Sequence, residues 1–345
     1  MKYKSYLGLD AHSKNCYFVV RDRKGQIVRR AMVKTTEVDL LGFVRSIEGN
    51  KGLILEESSI SQWIFILLHE EVDEIAIINP ASRGKAQGPK NDFLDAAELA
   101  EAMRKGNLKT VYHSADERME LRTLVSGYDD LVQEISRTKN RLKALFRRTA
   151  IPTSRDAEYK QKALLERLPS ENERFVGGPL FEQIELLEKQ KQLYHERFEA
   201  NMKNFKEMKL LKSIPGFDRV RVNQVVGIVV TPHRFPSRGD FLAYSMLVKH
   251  KKLSDGKLYG QRQPRGKLQL KMIFKMAAKN VVRGENSYRR KYDQVLKDKG
   301  DERAAMNAVA RKLAFTFLAV WKSGKKYNDH YLEEKVRKGK QSKKA

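Results

Sequence analysis

The chain holds one cysteine and two tryptophans in 345 residues, and nowhere does it string together the ~18 apolar residues that a membrane span needs. A lone thiol closes no intramolecular disulfide and completes no thiolate metal cluster, and the seven histidines show no zinc-site spacing. Cys16 sits in a strand-like run, so it reads as a buried thiol of a reducing cytoplasm rather than a nucleophile. The opening MKYKSYLGLDAHSK lacks the apolar core of a signal peptide; a cytoplasmic, nucleoid-associated protein without a membrane partner is expected. Acids are also scarce: 43 Asp and Glu face 69 Lys and Arg, a formal charge of +26. That excess predicts a polyanionic partner. Because it runs from the front third to the tail, it predicts a long nucleic-acid footprint rather than a single basic arm. An apolar content of 41% suffices for real cores in two or three domains.

YKSYLGLD, NCYFVVRD and IVRRAMVK, the last two joined by the turn RKGQ, read as three strands of an antiparallel meander. TTEVDLLGFVRSIEG is a helix with a threonine cap, LILEE a short buried strand, SQWIFILLHE a helix and EIAIINP another strand. This order predicts a mixed sheet with helices on its faces, an RNase H-like α/β domain over residues 1–113. From about Asp116 the pattern changes. Leu121, Leu124, Tyr128, Leu131, Ile135, Thr138, Leu142 and Leu145 recur at steps of three and four, and Leu180, Ile184, Leu187, Tyr194, Phe198 and Phe205 form a second run. They predict a long helical coiled coil over 114–207, paired either within one chain or between chains, with Thr138, Lys191 and Asn201 as polar seam residues suited to fixing register. Residues 208–330 read as a mainly helical, all-α domain. It opens over Leu210–Ile228 with helix, PG turn and helix, resembling a helix-hairpin-helix whose turn amides hold a phosphate, although Asp218 stands where that pattern has a second glycine. KVRKGKQSKKA, within 331–345, is a basic tail.

In KNDFLDAAELAEAMRKG, Asp92 and Asp95 stand three apart where an amphipathic helix begins, on one face. Acids in a first turn ordinarily just favour the helix dipole. Here the chain supplies more: Asp10 ends the strand YLGLD and Glu56 ends LILEE, each where a buried strand meets its edge. Glu57 competes with Glu56, since a one-residue slip swaps their faces. In an RNase H-like sheet the ends of the first and fourth strands are neighbours and a later helix lies against them, so the four acids can converge. Unpaired, they would repel and raise one another's pKa; hard Mg²⁺, two ions ~4 Å apart, resolves that conflict and leaves positions for phosphate oxygens. His12 and Lys14 adjoin Asp10 and are candidates for orienting a phosphate.

Two basic stretches suit nucleic acid. Lys249, Lys251, Lys252, Lys257, Arg262, Arg265, Lys267 and Lys271 cluster with Tyr259, and Gly256, Gly260 and Gly266 allow close backbone approach. RTKNRLKALFRR supplies Arg137, Lys139, Arg141, Arg147 and Arg148, in part a solvated helix face. Ser254, in LSDGK, reads by itself as a turn residue.

GLDAHSK, LEESS, NPASRGKAQGPKNDFLDAAELA, the helix ending in KNRLKALFRR, IPGF and LSDGKLYGQRQPRGKLQLKMIFKMAA together resemble the DEDD transposases of the insertion-sequence-110 family, over nearly the whole chain. The resemblance implies a RuvC-like (Holliday-junction-resolvase-like) domain, a coiled coil and a C-terminal transposase domain. It maps the family's acids onto Asp10, Glu56, Asp92 and Asp95 and its nucleophilic serine onto Ser254, with Asp255 where a small residue is usual. Donor and target double-stranded DNA, a structured noncoding bridge RNA, a phosphoseryl intermediate and a homo-oligomer, dimer or tetramer, with an active site composite between protomers, are implied with it. Two other readings stay open on the residues: a Mg²⁺-dependent structure-specific nuclease that activates water, and a noncatalytic nucleic-acid scaffold, which the intact acid set disfavours.

Overall fold

A strand buried on both faces reads as a near-continuous apolar run, and YLGL and LIL have that character. In the computed structural model, which describes residues 2–80, 91–106, 108–152, 162–255 and 257–329, these runs are two neighbouring interior strands of a five-stranded sheet. The chain divides into two units, Met1–Asp116 and Glu117–Ala345.

In the first unit, β1 (Ser5–Ala11), β2 (Asn15–Asp22) and β3 (Ile27–Lys34) form the antiparallel meander, and β4 (Lys51–Glu56) and β5 (Glu74–Ile78) add in parallel on the other side of β1, giving the order β3-β2-β1-β4-β5. This is the RNase H-like arrangement. The period of two then sorts the side chains. Leu7, Leu9, Cys16, Phe18, Val20, Leu53, Leu55 and Ile77 share one core with Leu40, Phe43 and Val44 of α1 (Glu37–Arg45) and Ile64 and Leu68 of α2 (Ser61–Leu68). Thr36 caps α1 by accepting from the Asp39 amide. On the opposite face Tyr6, Ile54, Ala76 and Ile78 meet Leu99 and Met103 of α3 (Asp92–Lys105), and Val19 meets Ala96 and Ala97. Cys16 is fully buried, 3.3 Å from the Thr35 hydroxyl, and burial pushes its thiol pKa up.

α3 lies against β1 with no room for a side chain between them. A Cβ on Gly8 would overlap the Ala96 carbonyl oxygen and stand 2.5 Å from the Ala100 nitrogen, so only glycine on the strand and alanines on the helix permit the approach.

In the second unit the two heptad runs are α4 (Leu121–Arg148) and α5 (Glu171–Asn204), which pair antiparallel within the chain. Tyr128 meets Tyr194 and Phe198, Lys139 meets Glu188, and Leu142, Leu145 and Phe146 share a core with Phe181 and Ile184, so positions climb one helix as they descend the other. The seam residues differ in role. Thr138 is fully buried, Lys191 pairs with Glu188 on its own helix, and Asn201 turns to α7 (Arg219–Val229), where its amide donates to the Asn223 side-chain oxygen at 3.0 Å. The Asn223 amide in turn donates to the carbonyls of Phe198 and Arg219.

α6 (Lys206–Lys212) and α7 are joined by the IPGF turn, in which Gly216 has φ +87° and faces the Ala277 carbonyl of α9 (Leu268–Val281). Asp218, at the anomalous position, caps α7 through the Arg221 amide. A large core joins α4–α7 with α8 (Arg238–Tyr244), α9, α10 (Ser287–Lys299) and α11 (Glu302–Ser323), and this mainly helical region also carries a β-hairpin that the sequence reading did not anticipate, β6 (His250–Ser254) and β7 (Lys257–Arg262). No helix among the described residues is long and apolar enough to cross a membrane. The basic tail 331–345, Gly256, most of NPASRGKAQGPK and most of IPTSRDAEYK lie outside the described residues.

Two substitutions test these contacts. Gly8→Ala should destabilise the first unit by about 3 kcal/mol, the upper range of overpacking, because backbone rather than a flexible side chain must yield; chemical denaturation of the full chain measures it. Asn223→Ala should cost about 1–3 kcal/mol in the second unit, since it leaves the buried Asn201 amide without its acceptor, and Asn201→Ala/Asn223→Ala should cost less than the sum of the two single changes.

Candidate active site

The register of the sheet sets the site. Leu9 pairs with Leu55 across β1 and β4, so the next residues, Asp10 and Glu56, stand side by side at the carboxyl ends of neighbouring parallel strands, ~4.8 Å apart in the strand-to-strand direction. Both follow by two the residues that face α3, Gly8 and Ile54, and so both side chains belong to the α3 face. Glu57 is one step further along and exposed, its amide donating to the Ile78 carbonyl at 2.8 Å. α3 begins beside this edge. Its cap is Asn91, which accepts from the Phe93 amide, and its C-terminal stop is Gly106 in the left-handed region, φ +75°. Capping therefore does not account for Asp92 and Asp95, which occupy the first turn of the helix that Gly8 admits.

Asp10, His12 and Asp92 offer ligand atoms that all lie within 4.8 Å of one another, a group able to hold a cation. The His12 Nε2 is 3.2 Å from Asp10 and 3.9 Å from Asp92. Glu56 and Asp95 stand outside that tight set, Glu56 half-buried at the end of β4 and Asp95 half-buried one turn into α3. The charge environment links three of the acids: burial raises the Asp10 pKa, the charges of Asp92 and Asp95 raise it further, and His12 opposes them. Carboxylates made costly to ionise by burial and by one another are what a divalent cation relieves, and hard oxygen donors suit Mg²⁺, so the residues present fit the metal.

Two residues of this edge carry more than their sequence signal promised. His12 sits in the middle of the group rather than beside it. Tyr17 is the cross-strand partner of Asp10, and its hydroxyl pKa is raised by burial and by Asp92; its ring packs edge-on to Phe93 at 5.2 Å and to His12 at 6.0 Å. The signal available for Tyr17 was parity: it is two residues from Val19, which faces α3, on the strand paired to β1.

In the second unit Ser254 ends β6, exposed, opposite Lys257 and next to Asp255, whose φ is +50°. Ser245, the other serine of this region, is fully buried, which removes it from any substrate. Lys249, Lys251, Lys252, Lys257, Tyr259, Arg262, Arg265 and Lys267 are all exposed and Lys271 is half-buried. Lys14 is exposed at the turn between β1 and β2. On α4, Arg147 and Arg148 are exposed at the C-terminal end, Arg137 and Arg141 flank Glu134, and Lys139 is turned inward to Glu188 at 2.9 Å, so its charge serves the helix pair.

Comparison with known families follows the same division. Residues 7–151 match the model of the DEDD transposases of the IS110 type, described as Transposase, and residues 208–294 match the Transposase IS116/IS110/IS902 family. No curated protein matches the chain. The first match covers nearly all of the sheet, the acids and α4, and the second runs from within α6 through the hairpin and α9 into α10. With the acids gathered at the edge of an RNase H-like sheet and a mainly helical C-terminal region following it, the chain belongs to the IS110 family and is a transposase that acts on DNA.

Proposed function

We propose that the chain cuts and rejoins donor and target DNA, with Asp10, Glu56, Asp92 and Asp95 as ligands of two Mg²⁺ ions, Ser254 as the nucleophile and a structured noncoding bridge RNA as the guide. The observation that carries this reading is the meeting of Asp10 and Asp92 within 4.8 Å at the edge of the sheet, in surroundings that make ionisation of Asp10 costly. The chemistry that metal bound there supplies is neutralisation of the phosphate and of the oxygens that gain charge as it reacts. Tyr17 walls one side of the group and His12 lies across it, so this end of β1 has a defined shape for a phosphate to meet.

Ser254 Oγ bonds to phosphorus while the bond from phosphorus to a deoxyribose oxygen breaks, and the serine proton ends on the released hydroxyl. The phosphoseryl diester keeps the energy of the broken bond, so a hydroxyl of another strand displaces Ser254 and reseals the backbone without a nucleoside triphosphate. Exposure of Ser254, with Lys257 opposite it and Lys251 and Lys252 before it, supports the role. In this reading the acids and the serine complete one site between protomers of a homo-oligomer. Target choice belongs to base pairing with the RNA, and the protein reads mainly duplex shape and backbone. Arg137, Arg141, Arg147 and Arg148 are suited to such contacts.

Purified protein, its element's noncoding RNA and labelled donor and target DNA, incubated with Mg²⁺ and run on a denaturing gel, should give a protein-linked DNA band that requires both the RNA and Ser254. Ser254→Ala should lose the band and keep DNA binding; cleavage without an adduct by that variant would instead mean a nuclease that uses water. Metal binding is read separately by thermal unfolding. The folded pKa of Asp10 is raised, so its ionised form costs stability above that pKa, and metal-free Asp10→Asn should melt no lower than the parent at neutral pH. The parent should gain ~2.7 kcal/mol from Mg²⁺ at a hundredfold excess over Kd, and Asp10→Asn should lose most of that gain.

A further inference from the structure

The ribbon of β6 and β7 is exposed almost throughout, and a two-stranded hairpin is marginal in water without a covering partner. Its root is nonetheless fixed. The Lys267 amide donates to the Tyr244 carbonyl at 2.8 Å, the Gln263 side chain donates to the Met246 carbonyl at 3.0 Å, and a Cβ on Gly266 would run into the Tyr244 carbonyl oxygen. The tip stands clear of the unit. Leu253 is 59% exposed and Leu258 55%, and the two are cross-strand partners, so they form one apolar pair on one face. The next pair, Ser254 and Lys257, lies on the opposite face. The register skips Tyr259, over whose ring the Lys252 Nζ sits at 5.9 Å.

Charge identifies what covers the leucines. From Lys249 to Lys267 the chain has seven lysines and arginines and one acid, Asp255, a composition that repels a second copy of itself and attracts a polyanion. Apolar side chains presented among cations that hold phosphates are the means by which proteins enter and open a base step. We propose that Leu253 and Leu258 are a wedge that unstacks duplex DNA at the step beside the phosphodiester that Ser254 attacks. The spacing agrees: one strand residue advances ~3.4 Å, and successive phosphates of one DNA strand advance ~3.4 Å along the axis, so Ser254 sits one step from the leucine pair. An opened step also frees bases to pair with another strand, which strand exchange requires. The inference rests on the serine reading above for its position, and on the leucine pair for its action.

The test uses full-length Ser254→Ala protein with its RNA and a duplex spanning the element's end that carries 2-aminopurine on either side of the junction. Fluorescence should rise severalfold on binding and stay near the free-duplex level when Leu253→Ala and Leu258→Ala are added, at equal occupancy by anisotropy. With Ser254 intact, the double alanine variant should join fully paired DNA about 10-fold more slowly, and a mismatch at the junction should restore its rate. A severalfold rise with the double alanine variant, equal to that without the leucine changes, overturns the wedge. So does a fall in oligomer size by sedimentation with unpaired substrate giving no rescue, which would make the leucines a protein contact. Because the leucines are exposed, neither change threatens folding. A protein-linked band surviving Ser254→Ala would sink the nucleophile while leaving the fluorescence result to stand or fall by the leucines.

Discussion

The site at the sheet edge depends on one close packing contact, the seating of α3 directly on β1 at Gly8. A side chain at that position would have to occupy space held by the Ala96 carbonyl and the Ala100 amide, which are backbone and do not move aside. With glycine below and alanines above, the helix settles onto the strand, and the Arg21 side chain, donating to the Ala97 carbonyl at 3.1 Å, fastens it from β2. The first turn of α3 is thereby brought to the carboxyl end of β1, where Asp10 waits. Apolar burial does the holding, through Tyr6, Ile54, Leu99 and Met103, and the acids are carried into proximity by packing that gains nothing from them. The raised pKa of Asp10 is the electrostatic cost of that placement.

The helical unit solves a different problem, presenting basic groups on a stiff frame. α4 and α5 pair within the chain and share their core with α6–α11, so the coiled-coil signal ends up as part of a larger helical body. The buried Asn201–Asn223 bond ties α5 to α7 and would have no partner in a slipped packing, which makes it a specificity device as much as a stabilising one. Many of the charges on this frame are paired at its surface, as in Arg289 with Asp293 and Arg219 with Glu199, and contribute little to stability individually. The cations between Lys249 and Lys267 differ in that only one acid accompanies them in sequence, so their field is turned outward.

In the proposed reading the first unit holds metal-ligating acids rigid and the second holds a DNA-engaging segment out. The sheet edge offers two half-buried carboxylates with an exposed imidazole between them. The hairpin offers a serine at the end of a strand fixed at its root and exposed at its tip. Packing density serves the first and its absence serves the second.

Much of this was legible in the residues. Period-two alternation and turn signals revealed the meander and its order, the heptad steps revealed α4 and α5, and acids at strand ends marked Asp10 and Glu56, because each signal is local and follows from side-chain direction along one element. The hairpin was not legible, since HKKLS and KLYGQR bury nothing and so carry no apolar pattern. Nor was the part played by His12 and Tyr17, which depends on which strand lies beside β1 and in what register. By itself the sequence determined the apolar-patterned elements, the net charge and the inventory of acids, because these depend on composition and neighbours in the chain. Only the tertiary structure decided that α4 pairs with α5 inside one chain, that Asp10 and Asp92 meet, and that Ser254 is exposed where Ser245 is buried, because those outcomes are set by packing between residues far apart in sequence.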